Sequence, residues 1–198
     1  MSGLAAALGR QLAYPRGWRG QLLGHAMRLA NRRATTLTIN ALAVQPGNVV
    51  LDLGCGTGDA VGALLAAAGG GIVHGLDHSP DMIAVARRRQ PKAVFHGASF
   101  DRIPLKSASV DRVLAVNVAY FWHNPSALAE ILRVLRPGGR LAVYVTEGAA
   151  LRRIGFGTSG THRLFDAATL KIELGSKALI RSIDAGLGVR GLIATLSV

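Results

Sequence analysis

The 198-residue sequence has little cysteine, and it has no long apolar run. The single cysteine, Cys55, excludes an intramolecular disulfide framework and a zinc site built from several cysteines, and it favours a reducing compartment. Every wholly apolar stretch is far shorter than the ~20 residues that a membrane-spanning helix needs. No basic region precedes an apolar run at the N-terminus, as it would in a secretory signal. From these absences we expect a cytoplasmic protein.

Charged residues are also scarce, at 17% of the chain against about 25% in an average soluble domain. Hydrophobic residues make up 49%, which is enough for a sizeable core and excludes wholesale disorder.

Helical apolar spacing over residues 20–43 ends at the turn Pro46-Gly47. We therefore predict a basic helical extension over residues 1–44, which caps the site as a lid, and one domain over residues 45–198.

The charge that is there is unbalanced, with 23 Lys and Arg against 11 Asp and Glu and a net charge of +12. The first 33 residues contain arginines and no acid: Arg10, Arg16, Arg19, Arg28, Arg32 and Arg33. A basic surface attracts nucleic acid, anionic lipid headgroups or acidic small molecules. The sequence leaves open whether these arginines form a solvated face or contact an anionic partner such as a membrane surface. Nucleic acid is disfavoured, because no known RNA-binding module is present.

Short apolar segments alternate with helical ones from residue 49 to residue 146. Strands are predicted at Val49–Leu53, Ile72–Leu76, Lys92–His96, Val110–Val116 and Leu141–Thr146, with a turn at Pro137-Gly138-Gly139 before the last. After a Gly-rich loop and a short helix capped by Asp166, two apolar runs predict an antiparallel hairpin at the edge of the sheet. The expected fold is α/β: a Rossmann-like, doubly wound, mostly parallel seven-stranded sheet with a C-terminal antiparallel hairpin.

The strongest local signal is the glycine loop Gly54-Cys55-Gly56-Thr57-Gly58, which follows the first strand. Such a loop binds nucleotides in doubly wound sheets, but Asp59 stands where a dinucleotide fingerprint has its third glycine. Asp52, just before the loop, would repel a pyrophosphate and attract an ammonium or sulfonium group. Asp77 ends the next strand, close to the ~20-residue offset at which an acid accepts ribose hydroxyls. S-adenosylmethionine has both a cationic amino-acid end and a ribose. The alternative is that Asp52 caps local structure and Asp77 only starts a helix.

With these residues the sequence resembles the class I S-adenosylmethionine-dependent methyltransferases, and within them the type 11 small-molecule group. The resemblance covers about residues 45–146. It is carried by the glycine loop and by three later segments: Asp77-His78-Ser79-Pro80-Asp81-Met82, Leu114-Ala115-Val116-Asn117 with Tyr120-Phe121-Trp122 after it, and Leu132-Arg133-Val134-Leu135-Arg136-Pro137-Gly138-Gly139.

The resemblance implies S-adenosylmethionine as the cofactor and assigns roles to residues around it. Asp52 supports the amino group of the cofactor, Asp77 takes the ribose hydroxyls, and Phe100 packs against the purine. Ser99 stands where many members have an acid that contacts the adenine amine, which is a departure from the pattern. The other residues implied to lie at the cofactor are Gly54, Cys55, Gly56, Gly58, His78, Met82 and Asn117. No metal site is expected.

Methyl transfer from a sulfonium is an in-line displacement, so orientation matters most and a general base is optional. The weak catalytic candidates follow the fourth strand: Asn117, Tyr120 and His123. Asn117 either orients the acceptor or closes the cofactor pocket. Tyr120 is more typical of a pocket wall, and His123 is more typical of a surface turn.

Three functions stay open at this point. The first is methyl transfer to a small-molecule acceptor, with the loop Gly155–Gly160, which holds Phe156, as part of a lid. The second is a phospholipid or quinone methyltransferase that works at an anionic membrane surface. The third is a non-catalytic accessory protein that binds S-adenosylmethionine. The sequence does not identify the acceptor, and it leaves a homodimer open.

Overall fold

A computed structural model describes residues 31–122, 126–153, 163–186 and 189–198 of the chain. The elements in chain order are α1 (residues 31–42), β1 (Val49–Leu53), α2 (Val61–Ala68), β2 (Ile72–Asp77), α3 (Pro80–Arg89), β3 (Val94–Gly97), β4 (Val110–Val116), a 3-10 turn (Ala119–Phe121), α4 (Ser126–Val134), β5 (Leu135–Thr146), α5 (Gly148–Arg153), α6 (Ala167–Leu174), β6 (Leu179–Asp184) and β7 (Arg190–Ser197). The predicted alternation of strands and helices is confirmed.

The strands form one seven-stranded sheet in the order β3-β2-β1-β4-β5-β7-β6. The first five strands are parallel, and β7 is antiparallel to both β5 and β6. The predicted C-terminal hairpin is therefore confirmed, with its second strand inserted next to β5 and its first strand at the edge. In the sheet, β2 and β3 lie on one side of β1, and the strands from β4 onward lie on its other side. The carboxyl ends of β1 and β4 thus flank the crevice where open α/β sheets bind ligands.

Side chains on the two faces of the sheet pack into separate apolar layers. On one face, Leu51 and Leu53 of β1 lie in a cluster with Ile131 of α4 and Leu170 of α6. On the other face, Val50 lies in a cluster with residues of α1, α2 and α3: Leu42, Val61, Leu64, Ile83 and Ala86. Burial on both faces explains why the central strands are almost continuously apolar in sequence.

Helix α1 is packed on the sheet and is held by arginines at its C-terminal end. Arg112 of β4 donates to the carbonyl of Ala43 at 3.2 Å, and Arg140 of β5 donates to that of Ala41 at 3.4 Å. Cations are favourable at this end of a helix because its last carbonyls lack partners within the helix. Asn31 of α1 lies beside the carboxyl end of β4. The boundary predicted at residue 44 stays a prediction.

Two segments differ from their predicted form. The predicted turn Pro137-Gly138-Gly139 lies inside β5, because the end of the chain pairs with it: Gly138 donates to the carbonyl of Val198 at 2.8 Å, and Val198 donates to that of Gly139 at 3.1 Å. The ladder between β4 and β5 shifts register there. The predicted loop over 151–161 begins instead in helix α5, and its residues 154–161 lie outside the described residues.

Candidate functional site

The glycine loop connects the end of β1 to α2 and is tied to the end of β2. The amides of Gly54 and Cys55 both donate to the carbonyl of Leu76, at 2.7 and 3.0 Å. Gly54, Gly56 and Gly58 have φ values of 72°, 52° and 78°. The left-handed region disfavours residues that carry a Cβ, so the spacing of these glycines follows from the backbone path.

The space around the loop differs between its first two glycines. A Cβ on Gly54 would lie 2.1 Å from Cγ1 of Val118, so the chain after β4 packs directly against the loop. A Cβ on Gly56 would meet nothing within 4 Å. Gly54 is therefore required by protein packing, whereas Gly56 leaves room for a ligand to approach its backbone.

Asp52, near the end of β1, is a buried carboxyl that has no ion pair among the described residues. Its residue is 3% exposed, and its Oδ2 atom is enclosed and accepts no hydrogen bond. Within the described parts of the chain, no Lys, Arg or His side chain forms an ion pair with it. Burial, and then the nearby carboxylates Asp77 and Asp59, raise the pKa of Asp52 to about 7. A cationic ligand would relieve both effects, because a buried anion is costly unless it is paired.

Asp77, at the end of β2, holds the glycine loop as well as facing the site. It is 8% exposed; its Oδ2 accepts a hydrogen bond from the amide of Gly56 at 3.0 Å, and its Oδ1 accepts one from Ser79 at 2.9 Å. A carboxylate has about four acceptor positions, so capacity for ligand hydroxyls is left. The link from Asp77 to Gly56 was not indicated by the sequence pattern.

The residues implied to surround an adenine lie around the same loop. The imidazole Nδ1 of His78 is 3.6 Å from Oδ1 of Asp77, and Met82 is partly buried in the first turn of α3. Phe100 lies next to the glycine loop, with Cζ 3.6 Å from the Cβ position of Gly54. Ser99 is exposed beside it. The structure brings Phe100 against the loop and His78 against the Asp77 carboxyl that binds it, and contacts of all four residues with a ligand stay predictions.

Cys55 is part of the core. It is 7% exposed, and its Sγ lies 2.9 Å from the Cβ position of Gly75 on β2. Burial, together with Asp52 and Asp77, raises the pKa of the thiol, so Cys55 is protonated at neutral pH and is not a nucleophile. In the described part of the chain, no group of three or more His, Cys, Asp or Glu could hold a metal ion.

On the other side of the crevice, neutral polar groups bind one another. The Asn117 Oδ1 accepts a hydrogen bond from the Tyr120 hydroxyl at 3.0 Å and one from the Thr146 amide at 3.3 Å, and its Nδ2 donates to Asn31 Oδ1 at 3.1 Å. Tyr120 is 3% exposed, and burial raises the pKa of its phenol. Tyr120 is thus a neutral donor rather than a general base. Asn31 and Thr146 were not indicated by the sequence, and His123 lies outside the described residues.

Residues 51–143 match the model of the family described as "Methyltransferase domain". The uncharacterized methyltransferase YdaC of Bacillus subtilis is 31% identical over 125 residues, which are 62% of this chain and 69% of that protein. The demethylmenaquinone methyltransferase of Beutenbergia cavernae is 41% identical over 116 residues, 57% of this chain and 45% of that protein. The chain spans about half the length of the first curated relatives that it matches.

The fold is also found among solved structures. A SAM-dependent methyltransferase from Aquifex aeolicus superposes with a TM-score of 0.65 at 18% identity, over 81% of this chain and 88% of that chain. At this level of identity the likeness concerns the fold alone.

Proposed function

Since this chain belongs to the class I S-adenosylmethionine-dependent methyltransferases, we propose that it transfers a methyl group from S-adenosylmethionine to a small-molecule acceptor. The observation that carries the proposal is the pair of buried carboxyls, Asp52 and Asp77, at the carboxyl ends of two adjacent central strands. A site in which Asp52 has no ion pair among the described residues, with a second carboxyl beside it, fits a ligand with a cationic end and a ribose.

The residues at the glycine loop fit this cofactor. The buried carboxyl of Asp52 would attract the ammonium group, and Asp77 has acceptor capacity for the two ribose hydroxyls. Gly56 offers backbone without a side chain, next to space that no protein atom fills within 4 Å of its Cβ position. When bound, the cofactor supplies a methyl group on a positively charged sulfur.

The acceptor side contributes orientation rather than proton transfer. Asn117, Tyr120 and Thr146 form a neutral network in which the buried Tyr120 phenol keeps its proton. Fixed geometry is worth up to ~7–11 kcal/mol in favourable cases, which suits a displacement that starts from an activated methyl group. We therefore expect the acceptor to present an atom that is nucleophilic without help from Tyr120.

Two measurements test the proposal. Calorimetric titration should show that the purified chain binds S-adenosylmethionine and S-adenosylhomocysteine. Incubation with methyl-labelled cofactor and a fractionated host extract should place label in a low-molecular-weight fraction, and Gly56→Val should abolish this because a branched side chain would occupy the ligand's approach to the loop. Binding without label transfer to any fraction would favour a non-catalytic accessory protein. Absence of binding would refute the cofactor site.

A second candidate is a quinone or phospholipid methyltransferase that works at a membrane surface. It is supported by the similarity to the demethylmenaquinone methyltransferase and by the net charge of +12. Among the described helices, none is long and apolar enough to cross a bilayer, so such contact would be peripheral. Co-sedimentation with anionic vesicles at low salt, lost at high salt, would favour this function. No binding at low salt would remove it.

A further inference from the structure

Asn117 combines a left-handed backbone conformation with a side chain that makes three hydrogen bonds within the protein. Its φ is 56°, in the left-handed region that few residues with a Cβ adopt. Such a conformation persists when the surroundings determine it, and here both ends of the side-chain amide are bonded: Nδ2 to Asn31 of α1, and Oδ1 to Tyr120 and Thr146. Asn117 also donates its backbone amide to the carbonyl of Tyr144 on β5 at 2.9 Å.

The turn at Asn117 determines where the next residue lies. Val118 is 7% exposed, and its Cγ1 occupies the space in which Gly54 would carry a Cβ. Gly54 is fixed from the opposite side by the bond from its amide to the carbonyl of Leu76. The first residue of the glycine loop is therefore held between β2 and the chain that leaves β4.

We propose that Asn117 is a positioning residue: the hydrogen bonds of its amide, including the one to Asn31, hold the turn that seats Val118 against Gly54. By this route Asn31 of α1 shapes the cofactor loop. The inference rests on the proposed function, because the loop is taken to bind S-adenosylmethionine.

This role differs from direct contact between Asn117 and a ligand. Three hydrogen bonds direct its amide to the protein: Nδ2 donates one of its two protons to Asn31, and Oδ1 accepts from Tyr120 and Thr146. A change at Asn31 removes no atom of the glycine loop and no partner in its bonds to Leu76. If Asn31 acts through Asn117 and Val118, its loss still weakens the cofactor complex.

The test is a double-mutant cycle on the dissociation constant for S-adenosylhomocysteine, measured by calorimetry with wild type, Asn31→Ala, Val118→Ala and the double variant. Removal of one hydrogen bond predicts about twofold to tenfold weaker binding for Asn31→Ala. The double variant should bind more tightly than the product of the two single effects predicts, because both changes release the same turn. Asn117→Gly, which keeps the backbone conformation and loses the amide, should reproduce the weakening.

Two control variants separate this role from general stability. Thr38→Val removes a buried hydrogen bond to Ala34 within the same helix, and Ala108→Gly relieves another positive φ on a loop outside the site. Both should shift the thermal midpoint and leave the dissociation constant unchanged.

Three outcomes would count against the proposal. If Asn31→Ala binds the ligand as tightly as wild type, the inference is overturned and the proposed function is not. The same holds if the effects of Asn31→Ala and Val118→Ala on the binding free energy are strictly additive. Wild type that binds no ligand overturns the proposed function and the inference with it. Asn31→Ala lies outside the glycine loop, and it keeps the test decisive if Asn117→Gly fails to fold.

Discussion

The carboxylates at the two ends of the sheet differ in whether a cation is paired with them among the described residues. At the amino end of β4, Asp111 binds the guanidinium of Arg136 at 2.8 and 2.9 Å and accepts the amide of Val49 at 2.7 Å. At the carboxyl end of β1, Asp52 is buried, has no ion pair among the described residues, and has Asp77 and Asp59 for neighbours.

The difference is not caused by a shortage of cations, since the chain has 23 Lys and Arg for 11 acids. The acid at the amino end contributes to stability, and the acid at the carboxyl end reduces it until a cation binds. This is the arrangement expected of a binding site, where groups that are unfavourable in the free protein become favourable in the complex.

The largest effect is expected from Asp52→Asn, which removes the charge and keeps the shape. Loss of one member of a buried charge pair costs about 2–5 kcal/mol, so affinity for S-adenosylhomocysteine should fall at least thirtyfold in calorimetric titration. Asp111→Asn is the matched control and should bind normally. Equal affinity of Asp52→Asn and wild type would remove Asp52 from the site.

The same variant should stabilise the ligand-free protein at high pH. Because the pKa of Asp52 rises from 3.8 to about 7 on folding, the folded state holds a proton that the unfolded state has lost, and stability decreases as pH rises from about 4 to about 7. Urea unfolding at pH 8 should therefore show a higher midpoint for Asp52→Asn than for wild type, and the gap should close at pH 4. A gap independent of pH would contradict this.

The next effect is the pH dependence of binding. A cation selects the ionised form of Asp52, so affinity for S-adenosylhomocysteine should fall up to tenfold per pH unit below about 7. Once the pH exceeds the pKa of the ligand's own α-ammonium group, the cationic charge is lost, so affinity should be highest between the pKa of Asp52 and that of the ligand. Titrations in two buffers of different ionisation enthalpy should show release of about half a proton at pH 7. Asp52→Asn should release none; equal release by both proteins would assign the proton elsewhere.

Asp77→Ala should have a smaller effect, because Asp77 is expected to bind neutral hydroxyls. Hydrogen bonds to charged groups are worth about 1.5–3 kcal/mol, so binding should weaken about tenfold to a hundredfold. Asp77 also holds Gly56, so weaker binding by the variant would not by itself assign the ribose to Asp77. The test therefore compares two ligands. Wild type should prefer S-adenosylhomocysteine over its 2′-deoxy analogue, and Asp77→Ala should bind both alike. A preference that survives in the variant would place the ribose elsewhere.

The parts of the site that could be predicted from sequence are those with local causes. The glycines mark positive φ, and Asp52 and Asp77 follow buried strands, so each is recognisable within a few residues of chain. The same holds for the helix that Asp166 caps, where its carboxyl and the Thr169 side chain form the capping box. The parallel sheet itself follows from the alternation of strands and helices.

The parts that could not be predicted depend on contacts between distant residues. Asn31 and Asn117 are 86 residues apart, and no local pattern relates an asparagine on a helix to one after a strand. The packing of Val118 on Gly54 depends on the turn at Asn117, which is far from the glycine loop in sequence. The glycines at 138 and 139 predict a turn, but pairing with Val198 draws them into the sheet.

The smallest effect on binding is expected from Asp111→Asn, which tests the stabilising end of the sheet. Partial burial opposes ionisation of Asp111, but the Val49 amide and Arg136 outweigh it and lower its pKa below the usual 3.8. Asp111 therefore contributes stability above pH 4 and loses that contribution as pH falls through its folded value. Because Arg136 is largely exposed and solvent screens the pair, the loss should be about 1 kcal/mol. Urea unfolding should show this difference at pH 7 and a smaller one at pH 3, with ligand affinity unchanged within twofold at pH 7. If Asp111→Asn weakened binding as strongly as Asp52→Asn, the two ends of the sheet would not have separate roles, and the unpaired state of Asp52 would need another explanation than a cationic ligand.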